Sequence, residues 1–334
     1  MLDRPRAAKL RALVGLHWAK DAIPAGDPQP FTGGAAWAGS GPGGARGWVL
    51  IDDGRPRRFG AALAWAWRHR VTELHVLVDE AVPGGAGVVA RRAAEMSAPP
   101  AVWVVAGRDV RRAEPAGDEP DTPLDEAEER LADLLRAHGA EPVVEHGVLR
   151  GEVLGLEVAR VIAGRLQVGV GRHDRVARAG MRPGEDPAGA LDETVAAVRA
   201  LRRPGAPMHP ANTLARARWL RAVLCARPEL AGAARLEPVA PPLPWFDLPD
   251  SGAAPARGLA EDGAEVVVVC STGLDLDLVP TAADSRRLRA PGARLAILVP
   301  DGDDHRVTRH LAAGLARPAG VLTVRRGWEA LLDY

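Results

Sequence analysis

Residues 150–175 read RGEVLGLEVARVIAGRLQVGVGRHDR, and the parity of this stretch decides which side chains share a face. Two runs rich in Val, Leu and Ile flank Ala163-Gly164; the first carries Glu152 and Glu157, and the second ends in the polar cluster Arg172-His173-Asp174-Arg175. A two-residue turn at Ala163-Gly164 would set Leu166, Val168 and Val170 on the face of Glu157, and Arg165 and Gln167 on that of Leu156, Val158 and Ile162. A three-residue turn over 163–165 instead collects Leu156, Val158, Ile162, Leu166, Val168 and Val170 together, with Arg160 the only intruder. Register follows the cleaner buried face, so the expectation is an antiparallel hairpin within 142–171 with the longer turn. Its other face would hold Glu157 and Gln167 beside Gly155, Ala159, Gly169, Gly171 and His173. Glycines gathered on one strand face imply a bulge, or the close approach of another backbone or of a ligand.

Outward from the hairpin, strands and helices alternate on both sides. On the N-terminal side, strands are expected at 48–51, 73–78 and 101–105, with helices at 59–69 and 88–96. On the C-terminal side, strands at 265–269, 295–299 and 321–324 alternate with helices at 282–289 and 307–315. Such alternation implies parallel strands joined by right-handed crossovers. The fold class is therefore α/β, with parallel-sheet blocks at 48–112 and 264–334 bracketing a central α+β lobe at 124–240; one composite sheet is the alternative. An amphipathic helix over 4–20 and a Pro/Gly-rich loop make up 1–47, residues 113–123 form a boundary, and helices follow at 124–137, 187–203 and 214–226. The run 239–245 reads as an extended connector.

Composition narrows the function classes. The chain has 334 residues, 47% hydrophobic and 26% charged, enough for two or three domains. Basic and acidic residues balance at 43 each, and all but Lys9 and Lys20 of the basic ones are arginine, a pattern of GC-rich bacterial coding. Neutral charge gives no support to a general nucleic-acid-coating surface. Two cysteines, Cys225 and Cys270, make neither a disulfide framework nor a zinc motif. No apolar run reaches membrane-spanning length and no signal-peptide core opens the chain, so a cytoplasmic location is expected.

Candidate sites follow from residue chemistry. Arg172, His173, Asp174 and Arg175 form an anion-binding cluster, with Asp174 orienting His173, or else a surface turn with a local ion pair. Glu145-His146 joins Glu157 as a carboxylate and imidazole set suited to a divalent ion. Two strand-to-helix loops, 78–87 and 271–277, resemble phosphate cradles, yet both carry acids that repel phosphate. Asp52, Asp53, Asp79 and Asp275 all follow expected strands, where α/β sheets bind ligands. His209 and Asn212 are read as capping or packing residues.

The order helix 124–137, three strands, helix 187–203 resembles the α-β-β-β-α core of restriction-endonuclease-like nucleases. By that resemblance Glu157 matches the metal-holding acid, Gln167 opens the second motif, and Mg or Mn is the metal. The position of that family's lysine is Gly169, and no lysine follows Lys20. Two functional expectations result: a binding or interaction protein with a degenerate nuclease-like lobe that takes an anionic ligand, or a metal-dependent nuclease or phosphodiesterase using Glu145, Glu157 and Gln167.

Overall fold

The computed structural model describes residues 3–20, 23–41, 44–118, 123–181, 186–203, 206, 209–244 and 252–332. Residues 119–122 of the expected boundary and Trp245 of the Pro-rich run lie outside them. The described strands form three separate sheets rather than one composite sheet. The chain divides into two units: 1–118 with 276–284 and 305–319, and 119–275 with 285–304 and 320–334. The C-terminal block is thus shared between the units.

In the first unit, strands β1 (Gln29–Phe31), β2 (Gly34–Gly41), β3 (Gly44–Ile51), β4 (Val71–Asp79), β5 (Ala101–Ala106) and β6 (Asp109–Arg112) lie side by side in chain order. The pairs β3–β4 and β4–β5 are parallel, as the alternation implied, and the outer pairs are antiparallel. Strands β1 and β2 replace part of the loop expected over 21–47. Their sequence, largely Gly and Ala, has weak strand propensity. Gly34, however, packs so tightly on the Leu50 carbonyl that no side chain fits. Helix α1 (Asp3–His17) places Leu10, Leu13 and Val14 against Trp37, Trp48, Leu50 and Leu77. The alternate residues Val49, Ile51, Val76 and Val78 are equally buried on the opposite face, where helices α2 (Phe59–Arg68) and α3 (Gly85–Ala93) pack on β4 and β5.

The second unit opens with helix α4 (Glu126–Ala137), started by Asp125 and Glu128 in a reciprocal capping box. Strands β7 (Glu141–Glu145), β8 (Val148–Val153), β9 (Leu156–Ile162) and β10 (Arg165–Val168) then form an antiparallel meander. Helices α5 (Gly171–Met181), α6 (Pro187–Leu201) and α7 (Arg216–Ala226) follow. Helices α4 and α6 cover one sheet face through Leu135, Leu191, Val195 and Val198. The third sheet runs β11 (Ala233–Pro238), β12 (Ala254–Ala260), β13 (Glu265–Cys270), β14 (Arg294–Pro300), β15 (Gly320–Val324). Its last three strands are parallel. Helix α8 (Leu278–Arg289) begins in the first unit and ends in the second, and α9 (Arg306–Ala313) belongs to the first.

The hairpin is antiparallel but its turn is the shorter one, because Ile162 pairs directly with Arg165. All three turns of the meander have two residues, His146-Gly147, Leu154-Gly155 and Ala163-Gly164, each with both residues at positive φ. That combination suits the right-handed twist of the flanking strands. A bulge supplies the rest of the correction. The β8–β9 register shifts so that Gly151 faces Ala159 while Glu152 faces Glu157, leaving Val158 without a partner. The extra residue keeps Leu156, Val158, Ala159, Val161, Leu166 and Val168 in one core. Ile162, expected inside, is 42% exposed. Glu157 and Gln167 do share the other face, through the pairings of Glu157 with Glu152, Arg150 with Arg160 and Arg160 with Gln167.

Candidate functional site

The face bearing Glu157 is filled by charge. Glu145, Glu152 and Glu157 are all buried there with Arg150, and Arg175 of α5 and Arg218 and Arg221 of α7 reach in from outside the sheet. Helix α7 can approach because Gly155 has no side chain: a Cβ there would collide with the backbone of Arg218 and Trp219. The turn glycine therefore admits a backbone, one of the uses expected of the glycines on this face. Arg218 donates to Glu152 Oε1 (2.6 Å) and Glu145 Oε2 (2.7 Å), and Arg221 donates to Glu152 Oε2 (2.7 Å). Burial opposes charge on Glu152, but Arg221 and Arg218 outweigh it and hold its carboxyl below the usual range. Burial likewise opposes charge on both arginines, yet Glu152 and Glu145 leave each guanidinium raised.

Glu157 is surrounded differently. Arg160 grips it through two hydrogen bonds (2.9 and 2.8 Å), Arg175 donates to Oε1 at 2.6 Å, and Arg150 stands 3.3 Å from Oε2. Glu145 is engaged by Arg150 at 3.0 Å as well as by Arg218. The carboxylates expected to hold Mg or Mn are neutralised by guanidinium groups, and among the described residues no three His, Cys, Asp or Glu side chains gather as a metal site. His146 sits in the turn after β7, at φ 51°.

The cluster at 172–175 also divides. It is the first turn of α5 rather than a strand end, so its side chains fan out around a helix. Arg175 points inward to Glu157, while Asp174 Oδ2 accepts from Val170 N at 2.7 Å instead of orienting His173. Arg172 and His173 are exposed. The acids of the first unit are occupied too. Lys9 Nζ donates to Asp52 (2.7 Å) and Asp79 (2.5 Å), and Arg58 pairs with Asp53 (3.1 Å). His209 Nδ1 accepts from Ala211 N, a local capping role.

An open concavity lies elsewhere in the second unit. A cleft of about 520 Å³ sits at the carboxyl ends of β13, β14 and β15, lined by the loop after each strand: Thr272 and Gly273, then Gly302 and Asp303, then Arg326 to Glu329. This is where parallel sheets place ligand sites. Asp303 reaches across to accept from Gly273 N at 2.7 Å, so the backbone donor that a phosphate would need is already used. Arg216 pairs with Glu329 and lies over the Trp328 ring, 5.3 Å from its centroid. Arg326 is exposed at the rim, close over Gly302. The loop 271–277 was singled out in the sequence as a phosphate cradle; the other two loops were not, and only their position after strands signals them.

Comparison with protein-family models, with curated proteins and with solved structures returns no match. No helix among the described residues is long and apolar enough to cross a membrane.

Proposed function

We propose that this chain is a binding protein whose ligand occupies the cleft at the carboxyl edge of the third sheet. The observation that carries the reading is the cleft itself, built from three successive strand-end loops and presenting one exposed cation, Arg326, opposite one carboxylate, Asp303. Its charged lining balances, since Arg216 and Arg326 match Asp303 and Glu329. A net-neutral site with both a strong acceptor and a strong donor suits a small zwitterionic or polyhydroxylated molecule. Such a ligand offers N–H or O–H groups to Asp303 and an oxygen to Arg326. Trp328 supplies the apolar wall. The nuclease-like plan of helices and strands in the central lobe supports a scaffold rather than a cleaving centre, because arginines hold Glu145 and Glu157. A cytoplasmic location belongs to the same reading and is supported by the free thiols Cys225 and Cys270.

Native mass spectrometry of the purified protein identifies the co-purified ligand, and titration calorimetry with that compound measures its affinity. R326Q and D303N are expected to weaken binding at least tenfold with the melting temperature of the free protein nearly unchanged. Asn at 303 retains an oxygen for Gly273 N, so the second variant removes charge without removing the loop contact. Binding unaffected by both variants refutes the cleft as the site. Cleavage of nucleic acid that requires Mg or Mn and disappears in E157Q would favour the phosphodiesterase reading instead.

A further inference from the structure

The buried network on the second sheet is electrically lopsided. At its α7 end Arg218 and Arg221 share Glu145 and Glu152, two charges against two. At its β10 end Arg150, Arg160 and Arg175 converge on Glu157 alone, although Arg150 also leans on Glu145. Among these ion-paired side chains the excess is two positive charges, placed at the Glu157 end, while the exposed Glu141, across from Glu152, adds a further negative charge at the α7 end. Asp174, exposed on the first turn of α5, also acts on Arg175, though its Oδ2 is taken up by Val170 N.

Three further observations mark this end as incomplete. Arg150, whose side chain is only 7% exposed, has a buried Nε with no hydrogen-bond partner, whereas the atoms left unbonded at the α7 end, Glu145 Oε1 and Arg221 Nη1, are of opposite charge and stand 3.8 Å from each other. Burial, with Arg160 and Arg218 nearby, leaves Arg150 below the usual guanidinium value in spite of Glu145 and Glu157, and Arg175 is lowered in the same way, by burial and Arg160 in spite of Glu157 and Asp174. The α7 end shows the opposite sign. Buried cations without matching anions are costly, and a low local dielectric makes any anion that reaches them strongly held. The cluster opens outward at Arg160, which is 28% exposed and stands directly across from Gln167 on the edge strand β10.

We infer that the Arg150–Arg160–Arg175 cluster around Glu157 binds a doubly charged tetrahedral oxyanion, such as a terminal phosphoryl group, that docks against Arg160 and Gln167 from the β10 edge. Two negative charges match the excess among the ion-paired side chains of the network, and guanidinium forks and an amide N–H donate to phosphoryl oxygens. This site is separate from the strand-end cleft and does not depend on it.

The test uses the full chain and inorganic phosphate at low millimolar concentration, with chloride at matched ionic strength as the control. A saturable rise in melting temperature is expected for the wild type, about 5–10 °C at about a hundred times Kd, with none for chloride. R160Q is expected to abolish the rise, and Glu157 keeps Arg150 and Arg175, so the variant retains its fold. Q167E is the second variant. It supplies a carboxylate opposite Arg160 and is expected to raise basal stability while removing the response to phosphate. R326Q, in the cleft, is expected to respond as the wild type does. No response in the wild type, or a response that survives R160Q or Q167E, overturns the inference. Loss in R326Q alone would assign phosphate to the cleft and overturn it equally.

Discussion

Replacing Glu152 by alanine strands one arginine in a buried, water-poor layer. Glu152 accepts from Arg218 at 2.6 Å and from Arg221 at 2.7 Å. Without it Arg218 keeps Glu145 at 2.7 Å, but Arg221 is left with a Glu145 oxygen 3.8 Å away, beyond hydrogen-bonding range. Removing one partner of a buried ion pair costs about 3–5 kcal/mol, a large share of the roughly 5–15 kcal/mol that holds a domain folded. For a unit of this size that lowers the melting temperature by about 6–20 °C. Urea unfolding followed by far-ultraviolet circular dichroism reads the loss as a lower midpoint at unchanged slope. The double variant E152L/R221M, which removes both charges, is expected to recover most of it. A single-variant loss below about 1 kcal/mol, or a double variant as unstable as the single one, refutes the claim that the ion pairs join α7 to the second sheet. The pH dependence has a definite sign. Glu152 is held below its ordinary value of 4.5, so its contribution is complete above that value and is lost as pH falls below it.

Gly155→Ala combines a side chain at φ 72° with a collision against the α7 backbone, and is expected to cost about 2–5 kcal/mol. A near-neutral urea midpoint would show that α7 does not seat there. His75 accepts from Trp103 Nε1 at Nδ1 and pairs with Glu73 through Nε2, which fixes the neutral tautomer. Burial lowers its pKa from 6.5 against the pull of Glu73, so the folded state binds this proton less readily than the unfolded one. Stability is expected to fall as pH drops below 6.5, and H75Q is expected to remove that part of the slope; an unchanged slope in the variant would place the titration elsewhere.

How far the sequence could be read is clearest in the meander. The strands and the parallel order of both α/β blocks follow from apolar periodicity, but the face assignment needed a parity count. Six residues separate the turn at 146–147 from that at 154–155, and seven separate the latter from the turn at 163–164. With two-residue turns an even strand returns in phase and an odd one does not, so the seventh residue must be absorbed. A longer turn and a bulge both absorb it, and the choice lay in the Ala-Gly pair, which accepts positive φ as His-Gly and Leu-Gly do. Glu157 was legible as a centre. Its arginine partners were less so, because Arg218 and Arg221 sit in RARWLR, where exposed guanidinium groups are the default reading. What turns them inward is Gly155, some sixty residues away in sequence, together with carboxylates on two other strands. The α5 turn at 171–175 reads as a strand end because Gly169 and Gly171, at its entry, obscure the helical pattern that begins there.

Helix α7 has two dissimilar faces: Arg218 and Arg221 meet the second sheet, while Trp219, Leu220, Val223 and Leu224 meet the third. Synthesis reaches these partners at different times. The strands that match the arginines precede α7, whereas β13 to β15 follow it, and at ribosomal speeds of about 5–20 residues per second the intervening chain takes about 5–20 s to appear. During that interval the charged face of the helix already has its counterions, and its greasy face has nothing to rest on. The apolar face of the nascent helix therefore stays uncovered over a defined window, which closes when the last parallel strand leaves the ribosome.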